Sequence, residues 1–289
     1  VPCRSSLSSK ASSVYSRTMF LKLKALSGKM TPKQKVKDTN LMSPVMKWNK
    51  KFIYPKSQRS LIQGKRHYDI EQTKLPSVTT IISATQSEEK RQSLAAWKAR
   101  LGDQAADRVR DVAAMRGTAM HTYLEAYIRG TGHRDLTSIG QEAEPMAKKI
   151  ISEGLSGLDE IWGSEVVLYY PDLYAGATDV VGIYNGRESI IDFKQTNKPK
   201  KREWIDDYFI QLGAYAMAHN FIYDTKIQSG IILMCSKDRL FQKFEVTDKE
   251  FVNYQHTFIK KVDEYYRNCN QNKEAKRYKN EEISKEISH

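Results

Sequence analysis

The sequence predicts an α/β protein in which helices cover both faces of one central sheet. Residues 87–155 carry helical apolar spacing, and three successive runs then switch to the spacing of strands. A helix, two more strands and a last helix follow, an order that requires a covered sheet. The longest apolar stretches, such as Ile231–Cys235, have the length of buried strands. No run approaches the roughly 18–20 apolar residues of a membrane span, so a soluble protein with no membrane partner is expected.

The 289 residues suffice for one large domain with appendages. Residues 1–46 read as a disordered basic tail: they are rich in Ser and Lys, with no acid before Asp38. The same composition suits a targeting segment, and Met46 is an alternative start that would make residues 1–45 non-native. Residues 47–74 form a basic, aromatic lead-in to a domain over 75–268, and 269–289 form a charged tail. The charge is uneven: residues 1–75 hold 17 Lys and Arg against Asp38, Asp69 and Glu71, so the net +13 resides there and the rest is nearly neutral.

Within the domain, Pro76-Ser77-Val78-Thr79 opens a short apolar segment ending near Ile82. Ser87 caps a helix with Glu88 and Glu89 in its first turn; Leu94, Trp97 and Leu101 mark a buried stripe, and Gly102 ends it. A second helix spans about 103–128 and bends or restarts at Gly117, and a third covers 142–155. Strands are expected at 164–170, 177–184 and 187–194, a helix at 204–220, and strands at 227–236 and 240–246. A capping box of Thr247 and Glu250 starts the last helix, whose apolar face is Phe251, Tyr254, Phe258, Val262 and Tyr265. Cys3, Cys235 and Cys269 fit neither a disulfide framework nor a metal-binding spacing, which points to an intracellular reducing compartment.

Asn185-Gly186 between two β-rich runs is a type I′ hairpin turn. Tyr184 then faces Arg187, and counting back places Asp179 opposite Asp192. Paired residues share a face, with Cβ atoms roughly 4.5–5.5 Å apart, and Lys194 projects from that face two residues on. The remainder of the face is mainly Val181, Ile183 and Ile190. Facing carboxylates in such a setting repel, and Lys194 offsets one charge at most. A divalent cation completes the set. The competing reading is an ordinary surface ion pair of Lys194 with either aspartate.

Gly176-Ala177-Thr178-Asp179, then Asp192-Phe193-Lys194, then Gln211 with Tyr215, resembles the PD-(D/E)XK nuclease superfamily in its RecB-like branch. His121 and Glu125 match the upstream motif of that branch, and Pro76-Ser77-Val78-Thr79 is similar to phage exonucleases and exonucleases of mitochondrial genome maintenance. The likeness covers about residues 75–268. It implies a restriction-endonuclease-like core, a central mixed sheet flanked by helices with an N-terminal helical region. It implies a Mg²⁺ or Mn²⁺ cofactor held by His121, Asp179, Asp192 and the Phe193 carbonyl, with Glu165 as an accessory acid. Lys194 would orient or activate the attacking water, and Glu125, Gln211 and Tyr215 would support the site. Thr178 stands where the name-giving Pro would be. Cysteines that bind an iron–sulfur cluster in some relatives are absent, so no iron–sulfur cluster is expected.

The activity implied is a DNA exonuclease preferring single strands or free ends, in replication, repair or recombination, with proteins of those processes as further partners. A flap- or junction-cutting endonuclease and a non-catalytic DNA-binding module are the alternatives. A mitochondrion and the cytoplasm of a virus-infected host are the candidate compartments. Lys198, Lys200, Lys201 and Arg202, just after the active strand, are candidate phosphate contacts or else a solvated loop, and Arg116 is another candidate contact. Lys47–Phe52 either stacks on single-stranded DNA or anchors the lead-in to the domain.

Overall fold

The computed structural model describes residues 46–287; the expected basic tail before Met46 lies outside the described residues. Five strands form a mixed sheet in the order β4-β5-β6-β7-β8, with β4 Leu158–Tyr170, β5 Tyr174–Tyr184, β6 Arg187–Thr196, β7 Ser229–Ser236 and β8 Phe241–Thr247. Only β6 and β7 run parallel. That pair needs a crossover connection, and α5, Asp206–Tyr223, supplies it. The result is an α/β sheet between helices, consistent with a restriction-endonuclease-like core.

Strand alternation sorts the core into two layers. Val181, Ile190 and Ile232 face α5 and α6 (Asp248–Ile287), together with Phe209, Leu212, Phe251 and Phe258. Val180, Ile191, Phe193, Ile231 and Leu233 face the opposite layer of α3 (Asp103–Arg129) and α4 (Ser138–Gly154), with Met120, Leu124, Met146 and Ile150. Because β7 is covered on both faces, all eight of its residues are buried, which is why it reads as a continuous apolar run.

The lead-in is structured. Gln58–Ile62 (β1), Lys65–Ile70 (β2) and Thr73–Pro76 (β3) form a separate antiparallel sheet, and a Ser77–Ala175 bridge ties its exit to β5. Tyr68, Ile70 and Leu75 pack on Ala175. Earlier in the lead-in, Trp48 bridges to Ile161 and packs on the α3–α4 layer, while Phe52 and Tyr54 pack on the other. These aromatics are therefore anchors, and the nucleic-acid stacking alternative loses its platform. The segment after Pro76 is a helix, α1 (Val78–Ala84), capped by Ser77 Oγ accepting from the Thr80 amide at 3.0 Å.

Several expectations need correction. Helix α2, Glu88–Leu101, starts at Ser87 and ends at Gly102 as expected, but it buries no residue; Leu94 is 55% exposed. Helical spacing shows which side of a helix is apolar, not whether anything covers it. Helix α3 does not restart at Gly117 but runs unbroken from Asp103 to Arg129, and Gly117 passes close to the Gln195 side chain. No capping box starts α6: Thr247 is still paired to Ser229 in the β7–β8 ladder, and Glu250 turns to Arg202 at 2.6 Å. The expected charged tail continues α6 to Ile287; its side chains beyond Gln271 lie outside the described residues.

Candidate metal centre

Asn185 and Gly186 have φ of 47° and 76°, as a type I′ turn requires. The predicted register holds from Tyr184↔Arg187 to Val180↔Ile191 and stops one pair short of the aspartates. There the sheet forks. Strand β5 stays on β4 as far as Tyr174↔Tyr170, while β6 stays on β7 as far as Thr196↔Ser236. Asp179 and Asp192 sit in the crotch.

A residue in a strand points its N–H and C=O to the same side, so the fork leaves both groups of Phe193 without a β5 partner. Side chains take them. The Phe193 amide donates to Asp179 Oδ2 at 2.6 Å, and His121 Nε2 donates to the Phe193 carbonyl at 2.9 Å. His121 reaches in from α3, with its Nδ1 3.3 Å from Asp179 Oδ1. On the far side of β5, Glu165 lies between the pairs Ser164↔Val180 and Val166↔Thr178, hence opposite Asp179. Its φ of 53° is unusual for a side-chain-bearing residue. Ligand atoms of His121, Glu165 and Asp179 fall within 4.8 Å of one another.

On the other face, α5 supplies the support. Lys194 Nζ pairs with Asp192 Oδ2 and lies 5.0 Å from the Tyr208 ring centroid. Gln211 Nε2 donates to Tyr215 Oη at 3.1 Å and approaches Asp192 Oδ1 at 3.4 Å. A Cβ on Gly176 would stand 2.6 Å from Tyr215 Cε1, so that glycine makes room for the tyrosine.

The electrostatics follow from burial. Burial opposes a charge on His121, but Asp179 and Asp192 outweigh it and lift the imidazole to about 9. That agrees with a ring donating from both nitrogens. Burial and the neighbouring Asp179 push Glu165 up to about 7 and Asp192 up to about 6. Burial also works against the Asp179 carboxylate, yet His121, Lys194 and the Phe193 amide hold it below the usual range. Lys194 is buried, but Asp192 and Asp179 raise it and keep it an ammonium. Asp192 Oδ2 is buried, with the Lys194 ammonium as its partner. Two buried carboxylates, the half-buried Glu165, an imidazole and the backbone carbonyl it holds form a hard, oxygen-rich donor set that suits a divalent cation.

The cleft over these groups has a volume of about 680 Å³. It gathers His121, Glu125, Glu165, Asp179, Asp192, Phe193, Lys194, Gln211 and Tyr215. Glu125 is held by Arg129 at 2.9 Å. The other candidates lie elsewhere. Arg116 is buried and unavailable to a phosphate: it donates to Gln195 at 3.0 Å and Glu142 at 3.1 Å, and it also holds Asn197. It braces α3 and α4 against the end of β6. Lys198, Lys200, Lys201 and Arg202 do not line the cleft; Arg202 is taken by Glu250 and the Glu245 carbonyl, and Lys201 lies over Trp204. Arg59, Arg66, Tyr68 and Tyr208 line the cleft and were not foreseen. A Gln63-Gly64 turn between two short alternating runs was the available signal, but Gln seldom marks such a turn.

With this geometry in place, similarity to known proteins bears on it. The chain is 27% identical over 223 residues to mitochondrial genome maintenance exonuclease 1 of Mus musculus, covering 70% of this chain and 64% of that protein. The Xenopus tropicalis protein of the same name is 28% identical over 57% of this chain and 49% of its own length. The Homo sapiens protein is 26% identical over 58% and 51%. The chain thus spans from about half to under two thirds of the length of these relatives. No protein-family profile matches it. A solved Eubacterium rectale protein assigned as an exonuclease aligns with 52% of this chain and 63% of its own at 16% identity and a TM-score of 0.39, too loose a likeness to bear on function.

Proposed function

We propose that this protein is a metal-dependent nuclease that hydrolyses phosphodiester bonds in DNA, acting as an exonuclease on single strands or free ends. The observation that carries the reading is the cluster at the fork: ligand atoms of His121, Glu165 and Asp179 lie within 4.8 Å of one another, His121 also reaches the Phe193 carbonyl, and Asp192, paired with Lys194, lines the same cleft. The names of the similar proteins support the same reading and favour DNA maintenance in a mitochondrion over the cytoplasm of an infected host.

His121, Asp179, Asp192 and the Phe193 carbonyl, with Glu165 as an accessory acid, would hold Mg²⁺ or Mn²⁺. When bound, such an ion supplies Lewis acidity at phosphoryl oxygens and a counter-charge to the carboxylates. The chain's own groups do the rest. To coordinate, His121 must give up a proton and release either the Phe193 carbonyl or Asp179. Lys194 stays charged, so it orients the attacking water and stabilises negative charge building on the phosphoryl group. Gln211 and Tyr215 hold Asp192 in place from α5, and Tyr208 positions the Lys194 head group.

The test is cleavage of end-labelled linear and circular single-stranded DNA and of duplex DNA, with Mg²⁺ or Mn²⁺ and with chelator. Lys194→Ala is the control. Shortening of linear strands that stops in chelator and in Lys194→Ala supports the proposal. Circles cut as fast as linear strands would make the enzyme a structure-specific endonuclease. Binding without cleavage by the wild type in either metal would make it a DNA-binding module.

A further inference from the structure

The N-terminal sheet brings two cations to the rim of the cleft. The β1–β2 register pairs Arg59 with Tyr68 and Leu61 with Arg66, so both arginines project from one face on diagonal positions, about 7–8 Å apart in a sheet. Tyr68 is buried beneath them, and the Arg59 guanidinium lies 6.0 Å from its ring centroid. Both side chains are exposed and both line the cleft. Arg116 and Arg129 are each held by a carboxylate, whereas among the described residues neither Arg59 nor Arg66 has one.

Two like charges on neighbouring positions of one sheet face repel. An anion between them removes that repulsion, and guanidinium forks match phosphate oxygens in pairs. The floor of the cleft is acidic, so an anion sits at this rim only if it stands off from the carboxylates. We propose that Arg59 and Arg66 form a clamp for a phosphodiester of the DNA strand adjacent to the one placed at the acid cluster. This deepens the nuclease reading and rests on it for the nature of the strand. The Lys198–Arg202 run lies outside the cleft and supplies a matched control.

The experiment measures binding of a fluorescent single-stranded oligonucleotide by anisotropy in Mg²⁺, on a Lys194→Ala background. Arg59→Gln/Arg66→Gln is expected to weaken binding about tenfold and to reduce the slope of log affinity against log salt by about 0.7 for each phosphate no longer neutralised. Lys198→Gln/Lys201→Gln removes the same charge and is expected to change both by less than half as much. Arg59→Lys/Arg66→Lys keeps the charge and loses the fork; it is expected to restore the slope but not the full affinity. Unchanged affinity and slope in the glutamine double variant, or equal losses in the Lys198/Lys201 control, would overturn the clamp. Should the double variant lose its fold, the same weakening is required of each single variant. Cleavage by the wild type alongside unchanged binding in the double variant sinks the clamp alone. A clamp that binds DNA in a protein that cleaves in no metal sinks the nuclease reading alone.

Discussion

Two hairpins in this molecule have the same local design and opposite uses. Each turns on two residues with positive φ, Asn185-Gly186 in one and Gln63-Gly64 in the other, and each forms five registered pairs. The β5–β6 hairpin is buried on both faces, and its strands part company to present carboxylates inward. The β1–β2 hairpin lies at the surface, stays zipped, and presents arginines outward. Turn chemistry sets the register in both. What the hairpin does is set by how much of it is covered and which charges it carries.

The comparison breaks first at the carboxylates. Asp179→Asn and Asp192→Asn are each expected to cut the cleavage rate by at least about a hundredfold while DNA binding at moderate salt barely falls. Each should also abolish the rise in melting temperature produced by Mg²⁺ or Mn²⁺, because ligand binding to the folded state alone is what raises it. A metal-induced rise that survives in Asp192→Asn would remove this residue from the metal site.

A smaller effect concerns pH. Glu165, Asp192 and His121 all bind protons more tightly in the fold, at about 7, 6 and 9. Each therefore contributes stability that is complete below its unfolded value and lost as pH rises through the folded one. In chelator, the melting temperature is expected to fall between about pH 5 and pH 9, and Mg²⁺ or Mn²⁺ should flatten that decline. A metal-free protein that gains stability across this range contradicts the charge arrangement described.

The smallest effect separates the two turns. Gly64 and Gly186 have φ of 73° and 76°, with open space where a Cβ would stand, so alanine at either costs about 1–2 kcal/mol from the left-handed backbone. Urea unfolding should show similar losses. Gly186→Ala should also slow cleavage, because Asp179 and Asp192 inherit their register from that turn, whereas Gly64→Ala should weaken DNA binding. The reverse assignment would undo the distinction between the hairpins.

The β5–β6 hairpin was legible because Asn-Gly is a strong local signal and strand alternation carries it to Asp179 and Asp192 by counting. Glu165 came only through resemblance, since the backbone twist that aims it inward has no sequence mark. The fork was not legible: it depends on β5 preferring β4, a competition between partners distant in sequence. Arg116 looked like a free cation because nothing local shows that Gln195, Asn197 and Glu142 converge on it. Leu94 and Leu101 looked buried because spacing alone cannot report the missing cover. The N-terminal sheet was missed because its strands are only four to six residues long and mostly polar.

The parting of β5 from β6 has a cost and a use. Had the ladder run on past Val180, the peptide groups of Phe193 would have been taken up by a neighbouring strand, and the protein would have gained two ordinary links in a seam. Left unzipped, the same amide and carbonyl become handles for a carboxylate and an imidazole. A substitution that knits the seam closed would yield a sturdier molecule with its acidic corner sewn shut.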